Sequence, residues 1–122
     1  MSFVKKTSEE LDLRDVKDIN NSQKESIINF LQGAVYCWCK NRPKEWFSMR
    51  DLMGGENFYW QGTPLIVLYD KHINKKKTHE QSIEWAGKDS GWLLKKVISD
   101  DKRRFETKKE NLIRKYRWIG KE

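Results

Sequence analysis

Apolar residues return at three- and four-residue steps through Ile27, Ile28, Leu31, Ala34, Val35 and Trp38. That stripe predicts one long amphipathic helix. Ser22-Gln23-Lys24-Glu25 has capping-box spacing at its start, and Pro43 disfavours helical dihedrals at Arg42, so the helix should end near Asn41. A second stripe, Leu65, Ile66, Leu68, Tyr69 and Ile73, follows Thr63-Pro64, which reads as an N-cap with proline at the first helical position. Thr78 and Gln81 form another capping box. The short helix it opens carries Ile83, Trp85 and Ala86 and is expected to stall at Gly87–Gly91. A further helix is expected from about Ser90 to Asp100, with Leu93, Leu94, Val97 and Ile98 on its inner face. Two strand-like stretches come last, Arg104 to Thr107 and Leu112 to Ile119, joined by the polar turn Lys108-Lys109-Glu110-Asn111.

Shorter patterns fill the gaps. Glu45-Trp46-Phe47 reads as a short strand of the kind that pairs with such a hairpin. Ser48 and Asp51 repeat the capping-box spacing and start a single helical turn through Met53, which Gly54-Gly55 ends. Phe58, Tyr59 and Trp60 read as a loop of aromatics closing a small core, in preference to a base-stacking set. Residues 1–20 form a polar arm in which Leu11, Leu13, Val16 and Ile19 are scattered, with a short helix start at Ser8-Glu9-Glu10-Leu11. The organisation expected is that arm followed by a single domain over residues 21–122.

Composition changes the picture in two ways. The apolar fraction is low for a core of this size, but six Trp, four Tyr and five Phe compensate, each able to bury on the order of 150–250 Å². The formal charge of +7 points to a polyanionic partner. Its placement says more than its size, because the excess of Lys and Arg falls in the last third of the chain, after Gly87. No apolar run approaches the roughly 18 residues of a membrane span, and the first residues lack a secretory h-region, so no membrane partner is expected. Two cysteines make no disulfide framework, which suggests a reducing, cytoplasmic setting. Cys37, Cys39, His72 and His79 do not suggest a zinc set, since residues two apart on a helix point about 200° apart. No metal or cofactor is expected.

Helices with a glycine-bearing turn, followed by a basic hairpin, resemble a winged helix-turn-helix over residues 64–119. The resemblance implies an α+β, mainly helical fold with the hairpin as wing and an extra helix before it. It also implies non-catalytic binding of double-stranded DNA, as a small regulator or the recognition module of a DNA-processing system. Lys88 and Ser90 would lie where the second helix begins and Lys95 and Lys96 on its outward side. Trp92 fits either the inward or the outward side. Arg103, Arg104, Lys108, Lys109, Arg114 and Lys115 would line the wing, and Lys75-Lys76-Lys77 would flank the helix pair. Lysines contact phosphate in the main, so little direct base reading is expected. In the hairpin, alternation sets Leu112, Arg114, Tyr116 and Trp118 against Ile113, Lys115, Arg117 and Ile119, with Phe105 opposite Tyr116 or Trp118 toward the core.

Other partners and activities compete. The arm or the first long helix would serve a homodimer. A winged helix also docks proteins, and Trp92 would anchor such an adaptor. Glu106-Thr107-Lys108 resembles one element of a metal-dependent nuclease, with Asp89, Asp100 or Asp101 as the second carboxylate. No central strand precedes it to supply the rest of such a site, and no hydrolase motif accompanies it.

Overall fold

The computed structural model describes the backbone of residues 2–4 and the whole of residues 13–55 and 60–119. The expectations placed on Ser8–Leu11, Phe58 and Tyr59 lie outside these residues. The order of elements is β1 (Ser2–Val4), α1 (Asn21–Asn41), α2 (Met49–Leu52), α3 (Ile66–Asn74), α4 (His79–Asp100), β2 (Phe105–Glu110) and β3 (Ile113–Trp118). The fold is mixed α+β and mainly helical.

Helix α1 buries Ile27, Leu31, Val35 and Cys39 on the expected stripe and ends at Asn41. Its capping box lies two residues earlier than the sequence suggests, with the Asn20 side chain accepting from the Gln23 N–H and Gln23 reaching back to the Asn20 N–H. Asn and Ser cap about equally well, so residue type alone does not choose between Asn20 and Ser22. Helix α3 begins at Ile66, two residues later than the proline signal suggests, and Thr63 shapes the turn before it: its Oγ1 donates to the Trp60 carbonyl and accepts from the Leu65 N–H.

The main correction concerns α4. No turn occurs at Gly87–Gly91, and one helix of 22 residues runs from the Thr78–Gln81 capping box to Asp100. Two mid-helix glycines disfavour this by about 1 kcal/mol each relative to alanine. Packing outweighs them. Ser82, Ala86, Ser90, Leu93, Leu94, Val97 and Ile98 form one continuous buried stripe, and both α3 and α1 pack against the helix. Asp89 fastens the two helices between the glycines, with one carboxylate oxygen 2.9 Å from His72 Nε2 and 2.9 Å from Lys71 Nζ. The consecutive helices that pair are therefore α3 and α4, joined by the lysine turn, where Lys76 takes φ 67°.

The hairpin is longer and its turn tighter than the pattern predicts. Phe105 pairs with Trp118, Thr107 with Tyr116 and Glu110 with Ile113. Asn111 and Leu112 alone form the turn, with φ of 51° and 66°, the mirror-image geometry that suits strand twist. Leucine is a poor residue for that backbone, and Leu112 stands 89% exposed. The backbone of Ser2–Val4 pairs antiparallel with β2, so the start of the chain forms a third strand. Phe47 bridges to Tyr116, as the short-strand reading of Glu45–Phe47 expects. Val16 joins the core together with Phe47, Trp60, Phe105 and Tyr116, while Trp118 is half-buried against it. Gly54 and Gly55 both take positive φ after α2, which fits their role as a helix stop.

Candidate functional site

Glu84, Gly87, Lys88, Gly91 and Lys95 recur at three- and four-residue steps, so they share one face of α4. That face looks across a groove to the inner side of the hairpin. Strand register puts Phe105, Thr107 and Lys109 on the same side as Trp118, Tyr116 and Arg114. Toward the base this side closes the core. Toward the tip, Lys109 and Arg114 line the groove. Met49, Arg50 and Trp60 complete the wall, and the cavity holds about 540 Å³.

Five cationic side chains line this groove, Arg50, Lys88, Lys95, Lys109 and Arg114, while Glu84 is the one acidic residue among the described lining residues. Lys88 sits 3.4 Å from Glu84 and 4.4 Å from the centre of the Trp85 ring. Lys95 lies 4.3 Å over Trp92, which Arg14 also approaches at 4.8 Å. Arg114 Nη1 donates to Thr107 Oγ1 at 3.3 Å, and its buried Nε has no hydrogen-bond partner. The Tyr116 hydroxyl is likewise buried and unpartnered. Burial pushes its pKa well above the ordinary 10, so it remains an O–H donor at neutral pH.

The outer side of the hairpin differs. Lys115 lies 2.9 Å from Glu110, Lys108 3.5 Å from Glu110, and Arg117 2.7 Å from Glu106. The Lys115 hydrogen bond and the Lys108 charge hold the Glu110 carboxyl below its usual range, and Glu110 in turn raises the Lys115 ammonium. Trp46 is stacked by both Lys108 and Arg117. Positive charge is thus largely balanced outside and in excess inside.

The sequence-derived candidates divide accordingly. Lys88, Lys95, Lys109 and Arg114 converge on the groove, and Ser90 belongs to its lining. Ser90, expected where a helix begins, lies mid-helix and is fully buried, its hydroxyl donating to the Gly87 carbonyl at 2.7 Å. Lys96 points elsewhere and pairs with Asp100 at 3.0 Å. Arg103 folds back on Asp101, with contacts of 2.7 and 3.0 Å, where Gln32 also donates. Burial alone would raise the Asp101 carboxyl, but the Arg103 side chain and N–H and the Gln32 amide together hold it below its usual range. Arg104 is exposed at the hairpin base, and its carbonyl accepts the Ile119 N–H. Lys108 and Lys115 belong to the outer side. Lys75 pairs with Asp18, and Lys77 lies 5.9 Å from the Trp85 ring, so the lysine turn is outside the groove.

Sequence reasoning missed Arg50, whereas Trp60 closes the core as its aromatic-loop reading expects and also lines the groove. Nothing in the linear pattern places the turn after Ser48 beside α4. Cys37 is exposed and Cys39 buried. Among the described residues no three His, Cys, Asp or Glu gather where they could hold a metal ion, and no helix is long and apolar enough to cross a membrane. Glu106 of the nuclease-like tripeptide is engaged by Arg117.

Fold and site together define a small, mainly helical α+β protein with a cationic groove between its longest helix and its hairpin. Comparison with known proteins finds no matching family model, no matching curated protein and no matching solved structure.

Proposed function

We propose that the protein binds double-stranded DNA without catalysing a reaction, using α4 and the hairpin as a recognition helix and wing. One observation carries this reading. Lys88 and Lys95 from the helix and Lys109 and Arg114 from the hairpin line one groove with a single acidic neighbour among its described residues. Such a concentration of one sign suits a polyanion, and phosphate contacts supply most of the affinity of non-specific DNA binding. The element order supports it. A long helix, a strand residue paired to the hairpin, two packed helices and the hairpin follow in the sequence of a winged helix-turn-helix.

The test is a salt titration on one labelled duplex. Log affinity should fall with log salt at a slope of about −0.9 per neutralised phosphate. Absence of duplex binding at low salt would exclude the reading and favour the protein adaptor. Trp85, 44% exposed, would be that adaptor's anchor in place of the half-buried Trp92.

A further inference from the structure

Gly87 and Gly91 stand one turn apart in the middle of α4 and both line the groove. Glycine is the poorest helix former after proline. Neither position takes a positive φ, and a Cβ at either would meet no atom within 4 Å. Folding and packing therefore give no reason for glycine at these positions. What a side chain there would occupy is the groove itself.

Other features of the groove point to its occupant. Its volume of about 540 Å³ falls within the roughly 300–1,000 Å³ of small-ligand sites. Its lining is partly aromatic and apolar, with Trp60, Trp92, Leu94 and Ile113. Two buried polar groups of the hairpin, the Tyr116 hydroxyl and Arg114 Nε, lack partners, and Tyr116 is only 1% exposed. Buried donors without partners are uncommon, and each invites an acceptor. The remaining polar lining is mostly cationic. A duplex presents phosphates and sugars to such a cleft, whereas its base faces are stacked inside. An apolar, aromatic lining suits a base outside a stack.

We propose that the groove binds a nucleotide, its planar base against the apolar and aromatic lining and its phosphate toward Lys109 and Arg114. The choice of nucleic-acid chemistry rests on the proposed function. The nucleotide comes from a free pool or from an unpaired or terminal position of DNA, and both present the same base and phosphate.

Tryptophan fluorescence and calorimetry test this on the full chain, with thymidine 5′-monophosphate, thymidine, inorganic phosphate, a single-stranded oligonucleotide and a blunt duplex as probes. Thymidine monophosphate should bind saturably and at least tenfold tighter than either phosphate or thymidine. A groove-filling Gly91→Leu variant should melt at a higher temperature than wild type yet bind the monophosphate at least tenfold more weakly. Gly87→Ala/Gly91→Ala is the milder variant should leucine prevent folding, with the same two signs expected. Monophosphate binding at least as tight as oligonucleotide binding assigns the site to free nucleotides, and the reverse assigns it to unpaired DNA. Duplex binding without monophosphate or oligonucleotide binding would overturn the groove assignment and leave the proposed function standing. Equal affinity for phosphate alone, or undiminished nucleotide binding by both glycine variants, would overturn it too.

Discussion

Phe47 and Tyr116 exchange both backbone hydrogen bonds, each 2.8 Å long, and their rings lie 6.0 Å apart. This one bridge ties the segment after α1 to the middle of the hairpin. Trp38 from the last turns of α1 and Phe105 from β2 close on the same Phe47 ring, at 5.7 and 6.3 Å. The groove lies beside it, since Ser48, Met49 and Arg50, the next three residues, line that groove.

Phe47 is fully buried, so Phe47→Ala should destabilise the protein by about 3–5 kcal/mol. Tyr116→Phe removes a buried hydroxyl that has no partner. It should be neutral or stabilise by up to about 1 kcal/mol, since the group's lost hydration has no internal compensation. Urea denaturation of both variants checks the pair. A loss as large as that of Phe47→Ala would mean that the Tyr116 hydroxyl is engaged after all.

Acid should release the Asp101 clamp. The folded-state pKa of Asp101 is depressed, so its contribution is present above the unfolded value near 3.9 and is lost as pH falls through the lower folded value. Asp101→Asn should lower stability at pH 7 by about 1.5–3 kcal/mol, the range for hydrogen bonds to charged groups. The gap from wild type should narrow as pH drops below about 4. Melting temperatures of the two proteins from pH 7 to pH 2 provide the measurement. A constant gap across that range would refute the assignment.

The two thiols should react at very different rates. Cys37 is exposed, whereas burial pushes Cys39 up to about 11. Thiolate is the reactive form, so native protein should titrate one thiol quickly and release the second only on unfolding. Adding a chelator should leave the melting temperature unchanged. Fast reaction of both thiols in native protein would contradict the seating of Cys39 in the core.

Groove and outer-face cations should separate in a salt titration. Lys109→Gln/Arg114→Gln should reduce the slope of duplex binding by about two contacts and weaken all sequences nearly equally. Lys108→Gln/Lys115→Gln removes two charges that share the one Glu110 carboxylate and should change the slope by no more than about one. Equal effects of the two pairs would place the interface along the whole hairpin instead of inside the groove.

Much of the local structure was legible in the chain itself. The Ile27-to-Trp38 stripe, the Ser48 and Thr78 capping boxes and the glycine stop at Gly54-Gly55 depend on neighbours within a few residues. Their chemistry therefore appears in the one-dimensional pattern. So does the excess of positive charge after Gly87, four of whose members reach the groove. Three features required the tertiary structure. The continuity of α4 through Gly87 and Gly91 opposes local propensity and is carried by packing of its buried stripe, in which Ser82 and Ser90 are small polar residues that a hydrophobic count passes over. The hairpin turn sits on Asn111-Leu112, where leucine is a poor local choice and strand register decides. The division of hairpin cations into a balanced outer side and an unbalanced inner side came from cross-strand pairing, and Arg50 joined them from a distant turn. Burial and charge balance are properties of neighbours in space, and the linear order of residues does not name those neighbours.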